Sequence, residues 1–458
     1  MAIATTNPAT GAVEQTFEPH SAAEVDRRLD LATAAVRQLR DTTYEQRAGW
    51  MKSTADLLDT ELDAVAAMLT TEMGKPITAA RAEVAKCARN MRFYADHAAA
   101  FLADEPLEDP AAVGASRAYA RYEPLGVVLA VMPWNYPLWQ VIRFAAPALM
   151  AGNAGVLKHA SNVPRAALYL DTVFTRGGFP DGAFSALLVG AREVEGLLAD
   201  RRVKAVTLTG SEPAGRSVAA AAGAHIKKAV LELGGSDPFI VLPSADLDRA
   251  ARTAVTARVS NNGQSCIAAK RFLVHTDVYD DFVARFVAHT EALTVGDPML
   301  EGTDVGPIAT EGGRRDLVEL VEDAVGKGAE VLAGATVADG PGWFFPPTIL
   351  AAVTPEMRLH REEAFGPVAT VYRVRDTAEA LAIANGTTFG LSSSVWSADE
   401  AEQELFCQEL DAGAVFVNGM TVSHPELPFG GVKDSGYGRE LSAAGIREFC
   451  NLKTIWRA

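Results

Sequence analysis

Apolar residues recur at three- and four-residue intervals, with charges between them, through residues 22–40 (AAEVDRRLDLATAAVRQLR), 44–74 and 77–101. That spacing predicts amphipathic helices, with Gly74 and Pro76 punctuating a junction. From about residue 117 the period changes. A β-rich piece, RAYARYEP, is followed by short, nearly continuous apolar runs: GVVLAVM (126–132), AGVLKH (154–159), FSALLVG (184–190), VKAVTLTG (203–210), KKAVLELGG (227–235) and PFIVLP (238–243). Helical stretches such as PLWQVIRFAAPALMAG and VPRAALYLDTVFTRGG lie between them. Alternation of helices with strands that are apolar throughout predicts a buried, mostly parallel sheet. The alternation resumes after residue 266. Strand candidates there are KRFLVHT, GAEVLAG, SSSVWS and AGAVFVNG, and helix candidates span 277–294, 311–327, 375–386 and 398–410. The result is an α/β chain with two α/β units. The tail CNLKTIWRA reads as a strand without a local partner, which predicts pairing with a distant segment or another subunit.

Composition narrows the function. The 458 residues are 48% hydrophobic and 22% charged, ordinary for a globular protein, and the formal net charge is −16. Such a field repels phosphate backbones, so no nucleic acid partner is expected. No apolar run reaches the ~18–20 residues that span a bilayer. The start, MAIATTNPATGAVEQT, has neither a basic nor an apolar signal region, so a cytoplasmic protein is expected. Four scattered cysteines (Cys87, Cys266, Cys407 and Cys450) form no CxxC pair, and eight dispersed histidines form no metal motif, so no metal is expected.

One cysteine invites a closer look. Cys266 lies in NNGQSCIAAKRF, between turn-forming polar residues and an apolar stretch. It is either a small buried hydrophobe or a nucleophile, and a nucleophile needs access, a lowered pKa and a stabilised oxyanion. Asn135, in PWNYP, follows an apolar strand at the sheet edge where ligands bind. Its amide either stabilises an oxyanion or shapes a turn. Glu232 in LELGGSDP is either a general base or a solvated loop carboxylate. In TLTGSEPAG, Ser211 either faces a phosphate or caps a helix. Lys158 in LKHASNVP either bonds a ribose or phosphate or lies on the surface.

Taken together and in order, PWNYP, LKHAS, GSxxxG, LELGG, GQSC, EEAFGP (362–367) and PFGGVKDSGYGRE (428–440) resemble the aldehyde dehydrogenase superfamily over nearly the whole chain. LKHASNVP, TLTGSEPAG, LELGGSDPF, NNGQSCIAAKRF and GMTVSHPELPFGG are similar to those of bacterial NADP-dependent succinate-semialdehyde dehydrogenases. The resemblance implies a dinucleotide-binding domain (1–106 and 128–232), a catalytic domain (233–424), and a β oligomerisation arm with a C-terminal tail (107–127 and 425–458). A homodimer or homotetramer is expected. Cys266 is the implied nucleophile, Asn135 the oxyanion ligand, and Glu232 the base that hydrolyses the thioester. For the cofactor the resemblance assigns Lys158 to the adenosine ribose and Gly210, Ser211 and Gly215 to the pyrophosphate. Glu363 is assigned to the nicotinamide ribose, with Phe365 and Trp134 beside the ring. Ser161 stands where NAD-preferring relatives carry a carboxylate that would repel a 2′-phosphate, which implies NADP, with NAD possible.

For the small aldehyde substrate, Arg143 is implied to hold a distal carboxylate in paired hydrogen bonds. Ser260 replaces a second arginine of some relatives, Ser423 is a substitute donor, and Trp134 and Trp139 are wall candidates. The expected reaction is NADP-dependent oxidation of succinate semialdehyde to succinate. The alternatives are an uncharged aliphatic or aromatic aldehyde, or a non-catalytic protein that keeps the fold.

Overall fold

The computed structural model describes residues 2–337 and 340–458. Met1, in the expected dinucleotide-binding domain, and Ala338–Asp339, in the expected catalytic domain, lie outside the described residues. Four helices open the chain after a small hairpin: α1 (Ala22–Arg40), α2 (Tyr44–Thr60), α3 (Leu62–Met73) and α4 (Ile77–Phe101). Ser21 caps α1 by accepting from Glu24 N, and Thr43 and Gln46 form a reciprocal capping box on α2. The single helix expected over 44–74 is two. It breaks at Glu61, whose carboxylate is drawn sideways to Tyr169 and Arg176. The hairpin Ile3–Thr6 with Val13–Phe17 was not foreseen either. Its second strand, VEQTF, is polar and almost wholly exposed, so it carries no hydrophobic signal.

The first sheet has six strands in the order 436–437, 228–232, 203–209, 127–132, 154–159, 184–186. All neighbours run parallel except the short Gly436–Tyr437, which pairs antiparallel with Leu231 and Glu232. Alternate residues face opposite layers, as a pleated strand requires. Val128, Ala130 and Met132 pack towards α2, α4, α5 (Trp139–Ala151) and α6 (Pro164–Arg176). Val127 and Leu129 pack towards α1, α7 (Val194–Ala199) and α8 (Glu212–Ala224). Both faces are covered, which explains the near-continuous apolar runs.

From Glu232 the chain crosses through Leu233–Ser236 into a second sheet of seven strands, ordered 330–333, 348–351, 368–374, 269–275, 237–241, 393–396, 415–417. Two of these, Thr348–Ala351 and Val368–Val374, were missing from the sequence reading. Helix α9 (Leu247–Val259) leads from this sheet to the Cys266 loop. The tail has its partner within the chain. Cys450–Arg457 pairs antiparallel with Arg117–Pro124 over its whole length, and Glu105–Pro106 flanks the other edge. Among the described residues, no helix is long and apolar enough to cross a membrane.

Candidate active site

Three consecutive residues after α9 adopt left-handed backbone: Asn261 (φ 57°), Asn262 (φ 59°) and Gly263 (φ 72°). Such a run is costly for L-residues, and asparagine tolerates it best after glycine. Here the buried amides hold it in place. Asn262 Nδ2 donates to Gly74 O and Pro307 O (both 2.9 Å), and its Oδ1 accepts from Gly306 N (2.8 Å). Asn261 Nδ2 donates to Asn135 O (2.8 Å) and Gln264 O (3.0 Å). A Cβ on Gly263 would lie 2.4 Å from the carbonyl carbon of Gly366. The polar letters of NNGQ are therefore a frame that aims the next residues, and Cys266 comes out half-buried.

Two cavities meet at Cys266. The smaller, of about 140 Å³, has Lys86, Trp139, Arg143, Ser260 and Ser423 in its wall with Cys266. The larger, of about 280 Å³, is walled by Trp134, Asn135, Gly210, Ser211, Glu363 and Phe365, again with Cys266. Asn135 Nδ2 points to the cysteine loop and donates to Gln264 O at 3.0 Å. The segment that carries Asn135 is anchored from α4, where Glu83 Oε1 accepts from Leu138 N and Trp139 N (both 2.9 Å).

Glu232 is not the solvated carboxylate weighed from sequence. It is 1% exposed, lines neither cavity, and neither oxygen has a hydrogen-bond partner among the described residues. Burial raises its pKa well above the ordinary carboxylate value, Glu440 adds to the rise, and Arg143 and Arg439 oppose it. Burial also pushes the Cys266 thiol up to about 12, against the pull of Arg143 and Lys270. Desolvation therefore outweighs two nearby cations, the opposite of the lowered thiol pKa expected of a nucleophile.

Arg143 lines the small cavity but is not idle. Its Nε is ion-paired with Glu440, Nη2 donates to Thr209 Oγ1 (3.4 Å), and the guanidinium lies over the Phe429 ring at 4.6 Å. Both charges of the pair are buried. Removing one strands the other, so Arg143→Met is expected to lower unfolding free energy by about 3–5 kcal/mol in a denaturant titration. Loss of activity in that variant would then extend to all aldehydes.

Behind the larger cavity's Glu363, sequence reasoning missed Lys270. Its ammonium pairs with Glu363 Oε1 (2.9 Å) and donates to the carbonyls of Cys266 (2.8 Å) and Ser265 (3.0 Å), which ties Glu363 to the cysteine loop. Two cations, Lys270 and Arg271, at the start of a buried strand were the available signal. Trp134 meets Phe365 edge-on at 5.7 Å. Ser211 occupies the N-cap position of α8, yet its hydroxyl makes no capping bond. Gly215 is not part of the cavity wall. Its bare Cα lets α8 approach Leu233, whose methyls would sit 2.6 Å from an added Cβ. Lys158 and Ser161 also lie outside the cavity wall, at the carboxyl end of strand 154–159. Among the described residues no carboxylate comes within ion-pair distance of Lys158, whose pKa is lowered by burial.

Residues 1–455 match the aldehyde dehydrogenase family, and the chain belongs to it. Among named relatives, the succinate-semialdehyde dehydrogenase [NADP(+)] of Mycobacterium avium (strain 104) is 62% identical over 457 residues, covering 100% of this chain and 97% of the relative. Succinate-semialdehyde dehydrogenase [NADP(+)] 1 of Mycobacterium tuberculosis (strain H37Rv) is 62% identical over 458 residues, with both chains covered fully. Of solved structures, succinic semialdehyde dehydrogenase from Streptococcus pyogenes in complex with NADP+ superposes with a TM-score of 0.96 at 36% identity, over 99% of each chain.

Proposed function

We propose that this protein oxidises succinate semialdehyde to succinate with NADP+. The observation that carries the reading is the position of Cys266, shared by a small cavity with two cationic side chains and a larger one fitted for a dinucleotide. The thiol adds to the aldehyde carbon and gives up its proton. Asn135 Nδ2 and the Cys266 N–H take the resulting oxyanion, so that Asn135 exchanges its bond to Gln264 O for one to substrate. Bound NADP+ would supply the hydride acceptor, and loss of the hydride from the adduct would leave the acyl group on Cys266 as a thioester. Glu232 swings from its buried position to take a proton from water, and the hydroxide released adds to the thioester carbonyl. Succinate departs and the thiol is restored. The net change is aldehyde, NADP+ and water to carboxylate, NADPH and two protons.

The residues present fit the cofactor. Gly210, the uncommitted Ser211 hydroxyl and the first N–H groups of α8 suit the pyrophosphate, and Glu363, Trp134 and Phe365 suit the nicotinamide end. Lys158 and Ser161 present a cation and a hydroxyl, with no carboxylate, where a 2′-phosphate would be received. Ser161→Glu is expected to move the NADP+/NAD+ ratio of kcat/KM about tenfold or more towards NAD+ through like-charge repulsion. An unchanged ratio removes Ser161 from cofactor choice. We read the 117–124 and 450–457 strands as the oligomerisation unit of a cytoplasmic homodimer or homotetramer, with the domain division at 232/233.

The test is the initial rate with succinate semialdehyde, NADP+ and NAD+ side by side, followed by absorbance of reduced cofactor. Reduction that is faster with NADP+ supports the reading. A folded protein that reduces neither cofactor with this substrate, yet turns over uncharged aldehydes, overturns it.

A further inference from the structure

Resting on the reading of a carboxylate-bearing aldehyde, we propose that Lys86 is the group that binds the distal carboxylate of the substrate, with Ser423 and Trp139 holding its ammonium in place. Lys86 projects from α4 into the wall of the small cavity that ends at Cys266. Its Nζ stands 4.0 Å from the Trp139 ring centroid and donates to Ser423 Oγ at 2.7 Å. An ammonium has three donors. One hydroxyl and one ring face leave it charged and under-bonded.

The comparison with its neighbours is what singles it out. Four nearby cations already have carboxylates: Lys75 has Glu83, Arg143 has Glu440, Lys270 has Glu363, and Arg89 has Glu426. Among the described residues, no carboxylate lies within ion-pair distance of Lys86. Glu83, almost one helical turn away, cannot serve. One of its oxygens pairs with Lys75 and the other accepts from Leu138 N and Trp139 N. Ser260 does not compete for the ligand, because its hydroxyl donates to Thr256 O (2.7 Å). A half-buried cation without its own anion, facing a cavity that opens on the nucleophile, is a site for a ligand anion.

The same setting makes the interaction sensitive to pH. Burial lowers the Lys86 pKa to about 8, helped by the charge of Arg143 on α5 and of Arg89 on α4, and opposed by Cys87 and Glu83 on α4. The 420–423 loop contributes the neutral Ser423, and Cys266 titrates far higher. The cation is present below pH 8 and lost above it, so carboxylate binding weakens as pH rises through that value. Lys86 therefore sets substrate choice, separately from the chemical step at Cys266.

The experiment compares succinate semialdehyde with butanal, its uncharged analogue of equal carbon count, at saturating NADP+ in wild-type, Lys86→Met and Lys86→Arg enzymes. The expected result is a fall of roughly 10- to 100-fold in the kcat/KM ratio of semialdehyde to butanal in Lys86→Met, carried mainly by KM, with part of the ratio restored in Lys86→Arg. In wild-type enzyme the KM for the semialdehyde should rise about tenfold per unit above pH 8 relative to that for butanal, a readout that does not depend on any variant folding. A wild-type preference that survives unchanged in Lys86→Met, or a KM ratio flat from pH 7 to pH 10 in an enzyme that prefers the semialdehyde, overturns the assignment of Lys86 while the substrate reading stands. A wild-type enzyme that does not distinguish the two aldehydes overturns both.

Discussion

Cys266→Ala is expected to abolish aldehyde oxidation, lowering kcat/KM by about 10⁴-fold or more while the melting temperature stays close to that of the parent. The size of the loss follows from the absence of a substitute. Cys87 is fully buried in α4, Cys407 is exposed on a distant helix, and Cys450 lies in the tail strand. The fold should survive because the loop is held by Asn261, Asn262 and Gln264, not by the thiol. Initial rates and a thermal melt on the same preparation check both halves. A variant that keeps more than roughly a hundredth of the parent rate would mean that another group attacks the aldehyde. Burial holds the Cys266 thiol above its ordinary pKa, so a base that takes its proton as the bond forms would assist the attack.

Glu232→Gln is the second large effect, and it is expected to separate the two halves of the reaction. The first turnover should persist as a burst of reduced cofactor. The steady-state rate should fall about 10²- to 10⁴-fold, because water must then attack the thioester without a base. Rapid mixing shows the burst, and mass spectrometry of acid-quenched enzyme shows the acyl adduct on Cys266. A burst-free profile with an unchanged steady state would assign deacylation elsewhere. Stability should move the other way. A carboxyl whose folded pKa lies above its unfolded value of 4.5 binds its proton more tightly in the folded state. The folded state is then penalised increasingly as pH rises above 4.5. Glutamine removes the penalty, so the variant should melt higher than the parent at pH 8 and no higher at pH 4.

What could be read from the sequence follows the physics of each element. The strands 127–132, 154–159, 203–209 and 228–232 are covered on both faces, and their nearly continuous apolar runs announce it. The N-terminal hairpin is polar and exposed, and its pairing depends on backbone bonds that leave no pattern in side chains. Thr348–Ala351 has four residues, too few to show a period, although VATVYRV at 368–374 carries a β-branched alternation that does. At the site, Cys266 and Asn135 were legible because flanking motifs surround them. Their mutual placement was not, since it depends on a hydrogen bond from the Asn135 amide to Gln264 O, 129 positions away. Arg143 was visible as a cation on the helix after PWNYP, but its partner Glu440 is supplied by a distant turn. Lys86 looked like any charged residue on an amphipathic helix. Only the packing of α4 against α5 and the 420–423 loop gives it an inward face.

The pairing of Cys450–Arg457 with Arg117–Pro124 also bears on how the chain is made. Ser116 and Arg457, which share a hydrogen bond at the end of this ladder, are 341 residues apart. At ~5–20 residues per second, the first strand leaves the ribosome roughly 20–70 seconds before its partner exists. Through that interval the nascent protein displays a bare sheet edge to every neighbouring polypeptide. Arg117, Arg121 and Glu123 along that strand are charges that discourage wrong partners during the wait. A chain halted before residue 450 never closes the edge. It can carry a complete thiol loop and both cavities and still be a target for chaperones and proteases.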